Sequence, residues 1–404
     1  MKKHLLILIT LLTGATAMGQ QYKVTFDKAE HGSYTVSPAL PKSGMYKAGT
    51  VLTVKATPDK GYTFDSGYYT ASEDMPWGRL YFETMTPEFK ITVHRNIAIG
   101  AYFVKQQATQ GLVVTQDIVF AQPGKKPLKY DVYAPKGAKN LPCIVIIHGG
   151  GWSSNTEDIM RGMAREMART GKYVVFSMDY RWLGTLDGDK TPTEPYQIIE
   201  DVYGGLLHIM EHAAVYGGDP SKLLLTGDSA GGHLSASAAN FVERIGDRGF
   251  GKTEDVYEFK PTYLPKGKTL IQVRTDLAKA IKAVSPTYGV FSAGLLSGPM
   301  KDKSDAYRKA IAPIESIPNA KERYVPQLLF RGTEDPIISD QEVRGYEQAL
   351  IKAGQRAEYI EVGGASHAFF DWKPEAKTQA VFERYGIYHI KEMLLFFDDV
   401  LDGK

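Results

Sequence analysis

The pattern of hydrophobic and polar positions changes near residue 105. Before it, apolar and polar residues alternate in short runs separated by turn residues, a period of two that is typical of half-buried β-strands. The clearest runs are 22–26, 33–36, 51–56 and 97–103. Residues 20–104 are therefore predicted to form a small all-β module, and the polar, aperiodic residues 105–111 a linker.

From residue 112 onward, apolar runs of strand length alternate with stretches of helical spacing. Two strands around the turn 123–126 predict a hairpin. Further strands are predicted at 141–147, 173–178, 222–226, 327–330 and 357–362, and helices at 156–169, 198–216, 230–241, 340–353 and 379–398. This alternation predicts an α/β fold for residues 112–404, with a mostly parallel sheet covered by helices on both faces.

The N-terminus carries an export signature. Lys2 and Lys3 precede a short apolar stretch, Leu5–Leu12, which is followed by small residues up to Gly19. Residues 1–19 are therefore predicted to be a secretory signal peptide, with a periplasmic or extracellular destination. The alternative, a retained membrane anchor, is disfavoured because the stretch is too short for a comfortable bilayer span.

Composition narrows the choice of partners. The 404 residues carry a formal net charge of +2 without a basic block, so neither nucleic acid nor an anionic membrane is predicted as a partner. The only cysteine, Cys143, lies in an apolar run and cannot form an internal disulfide, so the fold depends on its core. Composition makes no prediction of the oligomeric state.

Two glycine-containing motifs carry the chemistry. The first, Gly227-Asp228-Ser229-Ala230-Gly231, lies between a predicted strand and a predicted helix. A serine on such a turn is a nucleophile elbow, in which small neighbours let backbone segments approach closely. The second, His148-Gly149-Gly150-Gly151-Trp152, directly follows a predicted strand. Consecutive glycines let N–H groups converge on one point, as an acyl-transfer enzyme requires for its oxyanion.

An acid and a histidine are expected after the serine, each at the end of a later strand. Asp335 and His367 both lie in loops that follow predicted strands. Asp340 and Glu334 compete with Asp335 for the role of the acid. With Ser229 first, the three residues occur in the order nucleophile, acid, histidine, which is the order of the α/β-hydrolase architecture.

Residues 112–404 resemble the α/β-hydrolase superfamily, and within it the esterase and lipase group related to hormone-sensitive lipase. The residues that carry the resemblance are 148–151, 179–181, 201, 219–220, 227–232, 335–336 and 367. The resemblance implies that Ser229, Asp335 and His367 form a catalytic triad. It implies neither a metal nor an organic cofactor.

The same resemblance assigns the oxyanion donors to the backbone N–H groups of Gly149, Gly150 and Ala230. Trp152 and the sequence His367-Ala368-Phe369 are more similar to secreted carbohydrate-ester hydrolases than to lipid hydrolases. Candidate substrate-pocket residues are Trp152, Trp182 and Phe369. The charged, glycine-rich insertion 242–276 is a candidate cap over the site, and the loop 182–195 is a second candidate wall.

Residues 22–104 resemble divergent bacterial repeat modules of the internalin B-repeat type. The matching stretches are 32–38, 46–50, 56–62 and 101–103. The resemblance implies a β-grasp-like accessory domain without a defined ligand. Two interpretations of its aromatic residues Tyr68, Tyr69 and Trp77 are open. They form a platform that binds carbohydrate, or they only pack within the module, which general packing statistics favour.

One rival motif, His208-Ile209-Met210-Glu211-His212, matches the H-x-x-E-H pattern of inverted zinc peptidases. Helical spacing puts both histidines on one face, but no third ligand is identifiable. Polar surface histidines are therefore favoured over zinc, and no metal is predicted. Asp228, next to the serine, is expected to make local hydrogen bonds rather than to act as the acid.

These patterns together predict a secreted serine ester hydrolase with an acyl-enzyme mechanism. The predicted partner is a small-molecule or oligosaccharide ester, such as an acetyl or aromatic acyl group on a polysaccharide fragment, without stable insertion into a membrane. A peptidase or amidase with the same triad, and a catalytically silent binding protein on a hydrolase scaffold, are the alternatives.

Overall fold

The computed structural model describes residues 19–71, 81–247 and 258–403. The predicted signal peptide up to residue 18, and Trp77, lie outside these residues. The chain divides into two compact units, one ending at Gln110 and the other beginning at Gly111. Among the helices of the described residues, none combines the length and the apolar character that a bilayer crossing requires.

The regular structure described in the N-terminal unit consists of strands, followed by one short 3₁₀ helix, Gln106–Ala108. The strands are β1 (Gln21–Phe26), β2 (Gly32–Ser37), β3 (Met45–Lys47), β4 (Val51–Pro58), β5 (Tyr62–Ala71), β6 (Tyr81–Thr84), β7 (Glu88–Thr92) and β8 (Ile97–Lys105). One sheet has the order β3-β1-β8-β5-β6 and the other β2-β4-β7. In β4, Leu52, Val54 and Ala56 are buried while their neighbours are not, so the predicted period of two and the all-β module are confirmed.

The C-terminal unit is organised around one large sheet. Its strands are β9 (Leu112–Ala121), β10 (Leu128–Pro135), β11 (Leu141–Ile147), β12 (Val174–Met178), β13 (Gly218–Asp228), β14 (Ile281–Thr287), β15 (Gln327–Gly332) and β16 (Ala357–Val362). The order is β16-β15-β14-β13-β11-β12-β10-β9. β9 and β10 form the predicted antiparallel hairpin, and β11 to β16 run parallel. The predicted α/β fold is confirmed.

Helices cover this sheet. They are α1 (Arg161–Ala168), α2 (Pro195–His212), α3 (Ala230–Asn240), α4 (Leu270–Ala280), α5 (Ala293–Leu296), α6 (Asp305–Ala310), α7 (Asp340–Lys352), α8 (Ala376–Val381) and α9 (Ile387–Leu401). Every residue of α3 is buried, which explains its run of alanine, serine and glycine. The single helix predicted over 379–398 is divided by a π-helical turn, Phe382–Gly386. At this turn the backbone of Gly386 lies close to that of Phe369: a Cβ placed on Gly386 would be only 2.9 Å from the Phe369 carbonyl oxygen.

The described residues of the insertion 242–276 pack on the helix layer. Phe259 is fully buried between the rings of Tyr203 and Phe241. The N–H of Lys260 donates to Glu200 Oε1 of α2 at 2.7 Å. The part of the candidate cap that the structure describes therefore covers α2 and α3, and residues 248–257 lie outside the described residues.

Candidate active site

Ser229 lies at the turn between β13 and α3. Its backbone adopts φ = 53° and ψ = −113°, a conformation that costs a residue other than glycine about 1–3 kcal/mol. Its N–H donates to the carbonyl oxygen of Thr287, the last residue of β14, at 3.0 Å. The turn has the geometry of a nucleophile elbow, which carries a serine hydroxyl beyond the edge of the sheet.

Two glycines allow this turn to fit. An ideal Cβ on Gly231 would lie 1.9 Å from the carbonyl oxygen of Ile147, and one on Gly227 would lie 2.4 Å from the carbonyl oxygen of Gly231. Both distances are far inside van der Waals contact, so a larger residue would force β11, β13 and α3 apart. Steric crowding thus explains why glycine is required two positions before and two positions after Ser229.

His367 joins Ser229 to Asp335. Its Nε2 lies 2.9 Å from Ser229 Oγ, and its Nδ1 lies 2.7 Å from Asp335 Oδ2. Asp335 follows β15 and His367 follows β16, and the carboxyl ends of parallel strands meet at one edge of a sheet. The serine, acid and histidine that the sequence predicts therefore form one hydrogen-bonded chain.

Asp335 is held as an oriented carboxylate. Its Oδ1 accepts the N–H groups of Ile337 and Ile338 at 2.8 and 2.9 Å. Burial acts to raise the pKa of Asp335, but the hydrogen bond and charge of His367, together with these backbone donors, hold that pKa below its ordinary value. Arg331 fixes the same loop by donating to the Ile338 carbonyl oxygen at 2.6 Å. Asp335 is thus ionised and cannot rotate freely.

The two competing carboxylates have other surroundings. Asp340 begins α7, where its side chain accepts from Arg344 at 2.8 Å and from the Tyr359 hydroxyl at 3.1 Å. The side chain of Glu334 is exposed, while its N–H donates to the Ala365 carbonyl oxygen at 2.9 Å. Asp335 is the acid that contacts His367.

Tyr288, which the sequence does not single out, supports the histidine. Its ring lies 4.9 Å from the His367 ring, centroid to centroid, and its hydroxyl accepts the N–H of Phe370 at 3.3 Å. Tyr288 is fully buried just after β14. Because the pattern does not predict β14, no signal in the sequence points to this residue.

The N–H of Gly149 is not available to an oxyanion. It donates to Asp228 Oδ1 at 2.6 Å, so the prediction of Gly149 as an oxyanion donor is wrong. Within the described residues, the N–H groups of Gly150, Gly151 and Ala230 donate to no acceptor. Of the three glycine N–H groups of the motif, those of Gly150 and Gly151 are thus free in the described structure and that of Gly149 is not.

Asp228 makes the local hydrogen bonds expected of it. Burial, and secondarily the neighbouring carboxyl of Asp371, raise the pKa of Asp228 well above its ordinary value. Through Gly149, the Asp228 side chain joins the loop after β11 to the nucleophile elbow.

A hydrogen-bonded carbonyl orients the first of these free donors. The carbonyl oxygen of Gly149 lies 2.6 Å from His148 Nδ1 and 3.3 Å from Asn155 Nδ2. In a trans peptide the C=O and the following N–H point in opposite directions. His148 and Asn155 therefore direct the N–H of Gly150 away from themselves.

The next peptide is oriented in the same way. The carbonyl oxygen of Gly150 accepts from the N–H of Ser153 at 3.1 Å and from the Ser154 hydroxyl at 2.9 Å, which directs the N–H of Gly151 away from them. Gly150 has φ = 119°. An ideal Cβ there would lie 2.4 Å from the Ser154 carbonyl oxygen, so the position requires glycine.

His148 belongs to a buried charged cluster behind the glycine loop. Its Nε2 lies 3.1 Å from Asp179 Oδ1, and the same oxygen accepts from Lys126 Nζ at 2.9 Å and from the Tyr180 N–H at 2.7 Å. Burial acts to raise the pKa of Asp179, but Lys126 and His148 hold that pKa below its ordinary value. Asp179 is therefore a carboxylate.

Arg181 anchors the loop after β12 to α2. Its Nε donates to Asp201 Oδ2 at 2.8 Å, and its Nη2 donates to Asp201 Oδ1 at 2.7 Å. Such a bidentate pair fixes orientation as well as distance. The residues 179–181 and 201, which carry part of the family resemblance, thus hold the scaffold of the site.

Two predicted pocket residues are buried. Phe369 has no exposed surface, and Trp152 is 4% exposed. Trp152 packs edge-on against His233 with ring centroids 5.3 Å apart, and Phe369 packs on Tyr288 at 4.9 Å. Both side chains pack against residues next to the triad, and their role in a substrate pocket stays a prediction.

Trp182 differs from them because its ring is half-buried. Its indole N–H donates to the Asn155 carbonyl oxygen at 2.9 Å, and Lys126 Nζ lies 4.2 Å above the ring. The following residue, Leu183, donates its N–H to the Trp152 carbonyl oxygen at 2.8 Å. The loop that begins at Trp182 is thereby joined to the glycine loop.

The H-x-x-E-H motif is engaged in other contacts. The rings of His208 and His212 stack on each other with centroids 4.1 Å apart. His208 Nδ1 lies 3.0 Å from the Tyr130 hydroxyl, and the Glu211 carboxylate accepts from the hydroxyl of Tyr263. Across the described residues, no group of three or more histidine, cysteine, aspartate or glutamate side chains is arranged to hold a metal ion.

Comparison with known families matches both units. The BD-FAE family model matches residues 130–350, more than half of the chain. The divergent InlB B-repeat domain matches residues 22–107. Both matches agree with the resemblances that the motifs indicate.

Curated relatives are similar over part of their length. The carboxylesterase NlhH of Mycobacterium tuberculosis is 39% identical over 117 residues, which is 28% of this chain and 34% of that protein. The carboxylic ester hydrolase LipN of the same organism is 26% identical over 261 residues, which is 61% of this chain and 62% of that protein. The chain thus spans about a third of the length of NlhH and somewhat under two thirds of the length of LipN.

Among solved structures, esterase Est2 of Thermogutta terrifontis with bound propionate aligns with a TM-score of 0.53 at 24% identity. The alignment covers 71% of this chain and 94% of that chain. At this identity the likeness establishes the fold.

Proposed function

This chain belongs to the BD-FAE family, and from that premise we propose that it is an exported serine ester hydrolase with Ser229, Asp335 and His367 as its catalytic triad. The observation that carries the proposal is the hydrogen-bonded chain from Asp335 through His367 to Ser229, at 2.7 and 2.9 Å. Export is supported by the composition of residues 1–19 and by a module of a type found on many exported proteins.

The geometry supports a two-step acyl transfer. His367 Nε2 accepts the proton of Ser229 Oγ as the oxygen attacks the ester carbonyl, while Asp335 orients and stabilises the resulting imidazolium. The N–H groups of Gly150, Gly151 and Ala230 receive the oxyanion. His367 then gives its proton to the leaving alcohol, and a water molecule, activated by the same ring, hydrolyses the acyl-enzyme.

The proposed substrates are acetyl or aromatic acyl esters on polysaccharide fragments. Two features support this class: export and the accessory module of residues 22–107. Ester-hydrolase names among the relatives support the reaction type. A panel of acetylated xylan, feruloylated oligosaccharide and peptide amides separates this class from an amidase.

The decisive test compares the wild type with Ser229→Ala on p-nitrophenyl acetate. We expect the variant to lose activity by a factor of about 10⁴ or more. Ser366→Ala is the matched control, because Ser366 is an exposed serine next to His367 and should keep the wild-type rate. Paraoxon should add a single diethyl phosphoryl group on the peptide that contains Ser229. A wild type no faster than Ser229→Ala refutes the proposal.

A further inference from the structure

Two buried polar groups lie beside the glycine loop, on neighbouring rings. The indole N–H of Trp152 and the Nδ1 of His233 find no hydrogen-bond partner within the described residues. Trp152 is 4% exposed and His233 is 1% exposed, so neither group lies at the surface. Most buried polar groups are paired, because leaving one unpaired costs free energy. Two such groups side by side therefore need an explanation.

The two groups are chemically complementary. An indole N–H can only donate. His233 Nε2 lies 2.8 Å from the carbonyl oxygen of Ile311, which can only accept, so Nε2 carries the proton. Burial lowers the pKa of His233 to about 4, so the ring is neutral at neutral pH and its Nδ1 is an acceptor. The two rings contact each other edge-on, at 83° with centroids 5.3 Å apart.

These rings belong to the two segments that would hold an oxyanion. Trp152 directly follows Gly151, and His233 lies in the first turn of α3, which begins with Ala230. The N–H of His233 donates to the Ser229 carbonyl oxygen at 3.0 Å, so His233 is fixed to the nucleophile elbow. An oxyanion that accepts from both Gly151 and Ala230 draws the two segments together. The indole N–H and Nδ1 then approach each other.

We propose that Trp152 Nε1–H donates a hydrogen bond to His233 Nδ1 when an oxyanion occupies the site, and that this bond holds the N–H of Gly151 in place during acyl transfer. The inference rests on the proposed function, since it needs an oxyanion between the glycine loop and α3. Trp152 and His233 are positioning residues, because they act through Gly151 and the elbow. The bond adds stability to the transition state rather than to the bound substrate.

The backbone of Trp152 is consistent with this role. Its φ is 57°, a left-handed conformation that costs free energy in a residue other than glycine and persists where the surroundings hold it. The Leu183 N–H donates to the Trp152 carbonyl oxygen at 2.8 Å, and the buried indole packs on His233. A bulky side chain is thus held, at a cost, directly after an oxyanion donor.

Nitrogen-15 NMR of the full chain tests the bond directly, because an N–H···N hydrogen bond gives a scalar coupling between its two nitrogens. The chain has four tryptophans, and Trp152→Phe assigns the indole signal by its loss. We expect no coupling in the resting protein. A coupling should be present after paraoxon has placed a diethyl phosphoryl group on Ser229, whose phosphoryl oxygen stands in for the oxyanion. An adduct without the coupling overturns the inference.

Kinetics on p-nitrophenyl acetate test the consequence for the reaction. Trp152→Phe keeps an aromatic ring but removes the donor, and His233→Gln keeps a donor for the Ile311 carbonyl but removes Nδ1. Each should lower kcat about fivefold, the worth of one hydrogen bond, with little change in KM. Because both changes break the same bond, the double variant should also lose about fivefold instead of about 25-fold. His208→Gln, which removes a histidine on α2, is the control and should keep the wild-type kcat.

The outcomes separate this inference from the proposed function. Losses that multiply in the double variant, or a kcat within about twofold of the wild type in Trp152→Phe, contradict the inference. A merely structural role would lower stability in the variants without a coupling in the adduct. If His233→Gln does not fold, the wild-type adduct and Trp152→Phe still decide. A chain that neither hydrolyses esters nor reacts with paraoxon contradicts the proposed function, whereas an active enzyme whose adduct lacks the coupling contradicts this inference alone.

Discussion

The substitution Asp335→Asn keeps the shape of the side chain but reverses one hydrogen bond. Asp335 Oδ1 accepts the N–H groups of Ile337 and Ile338, so the amide oxygen of asparagine is expected to take this place. The amide nitrogen then faces His367 Nδ1, 2.7 Å from the replaced oxygen, and donates to it. The proton of His367 must move to Nε2, which faces Ser229. A ring in this tautomer cannot accept the serine proton.

The expected loss in kcat follows from this tautomer. An orienting aspartate in a serine–histidine–aspartate triad accounts for about 10⁴ in rate, or about 5 kcal/mol in the activation free energy at about 1.36 kcal/mol per factor of ten. KM should change little, because Asp335 is not expected to touch the substrate. Separate determination of kcat and KM on p-nitrophenyl acetate measures both.

Stability provides a second readout with a defined sign. The pKa of Asp335 is lowered in the fold, so its ionised form stabilises the native state above the unfolded pKa of about 4. That contribution is lost as pH falls through the lower native pKa. Urea unfolding should therefore show Asp335→Asn to be less stable than the wild type at pH 7, with a smaller difference at pH 3.

Asp340→Asn is the matched control, because it makes the same change in the nearby aspartate that competes with Asp335 for the role of the acid in the sequence. Asp340 pairs with Arg344 and Tyr359 on the surface, where one such pair is worth about 0–1 kcal/mol. Its kcat should stay near that of the wild type. Activity of Asp335→Asn within tenfold of the wild type, or a larger loss in Asp340→Asn, would refute the tautomer argument.

Two further predictions concern the glycine loop and the sheet. Gly150→Ala should lower kcat by about 100- to 1000-fold, because its Cβ would meet the Ser154 carbonyl oxygen at 2.4 Å and displace an oxyanion donor. Gly171→Ala is the control: Gly171 also has a positive φ but lies in open space, so this variant should change only stability. Asp131 is buried and its pKa is raised to about 7, so its contribution to stability is full below pH ~4 and lost as pH rises through 7. Urea unfolding at pH 5 and pH 8 should give a smaller difference for Asp131→Asn than for the wild type, by about 2–3 kcal/mol, because about two pH units separate pH 5 from the native pKa of about 7; equal differences would contradict the buried neutral form.

Regular hydrophobic runs allow much of the fold to be predicted. The predicted strands 141–147 and 357–362 coincide with β11 and β16, because continuous apolar or alternating residues bounded by turn residues leave little choice of ends. β14 escapes prediction because Lys282 interrupts its apolar residues and Ser285-Pro286 is typical of a turn. Its pairing with β13 and β15 on either side overrides these local signals.

The order of motifs along the chain predicts the triad, but it does not indicate which glycine N–H is free. That depends on the Asp228 side chain, which turns toward the end of β11 and takes the N–H of Gly149. The burial of Trp152 and Phe369 has a related cause. Trp152 and Ala368 both have positive φ, 57° and 63°, and these local reversals of the backbone are not encoded in the hydrophobic pattern.

The residues proposed to carry out the reaction and the loop expected to contact the ester lie on different segments of the chain. The nucleophile elbow, the glycine loop and the histidine loop are each fixed by buried hydrogen bonds, through Asp228 and Tyr288 in particular. The loop from Trp182 to Pro195 differs, because it carries Leu186 at 58% exposure and is held largely by polar contacts such as the Lys125 N–H with Asp189 at 3.1 Å. This loop is the predicted second wall of the site, so a change in its sequence is expected to alter the surface offered to the acyl or alcohol group without moving Ser229. Specificity is therefore expected to vary with this loop while the reaction stays the same.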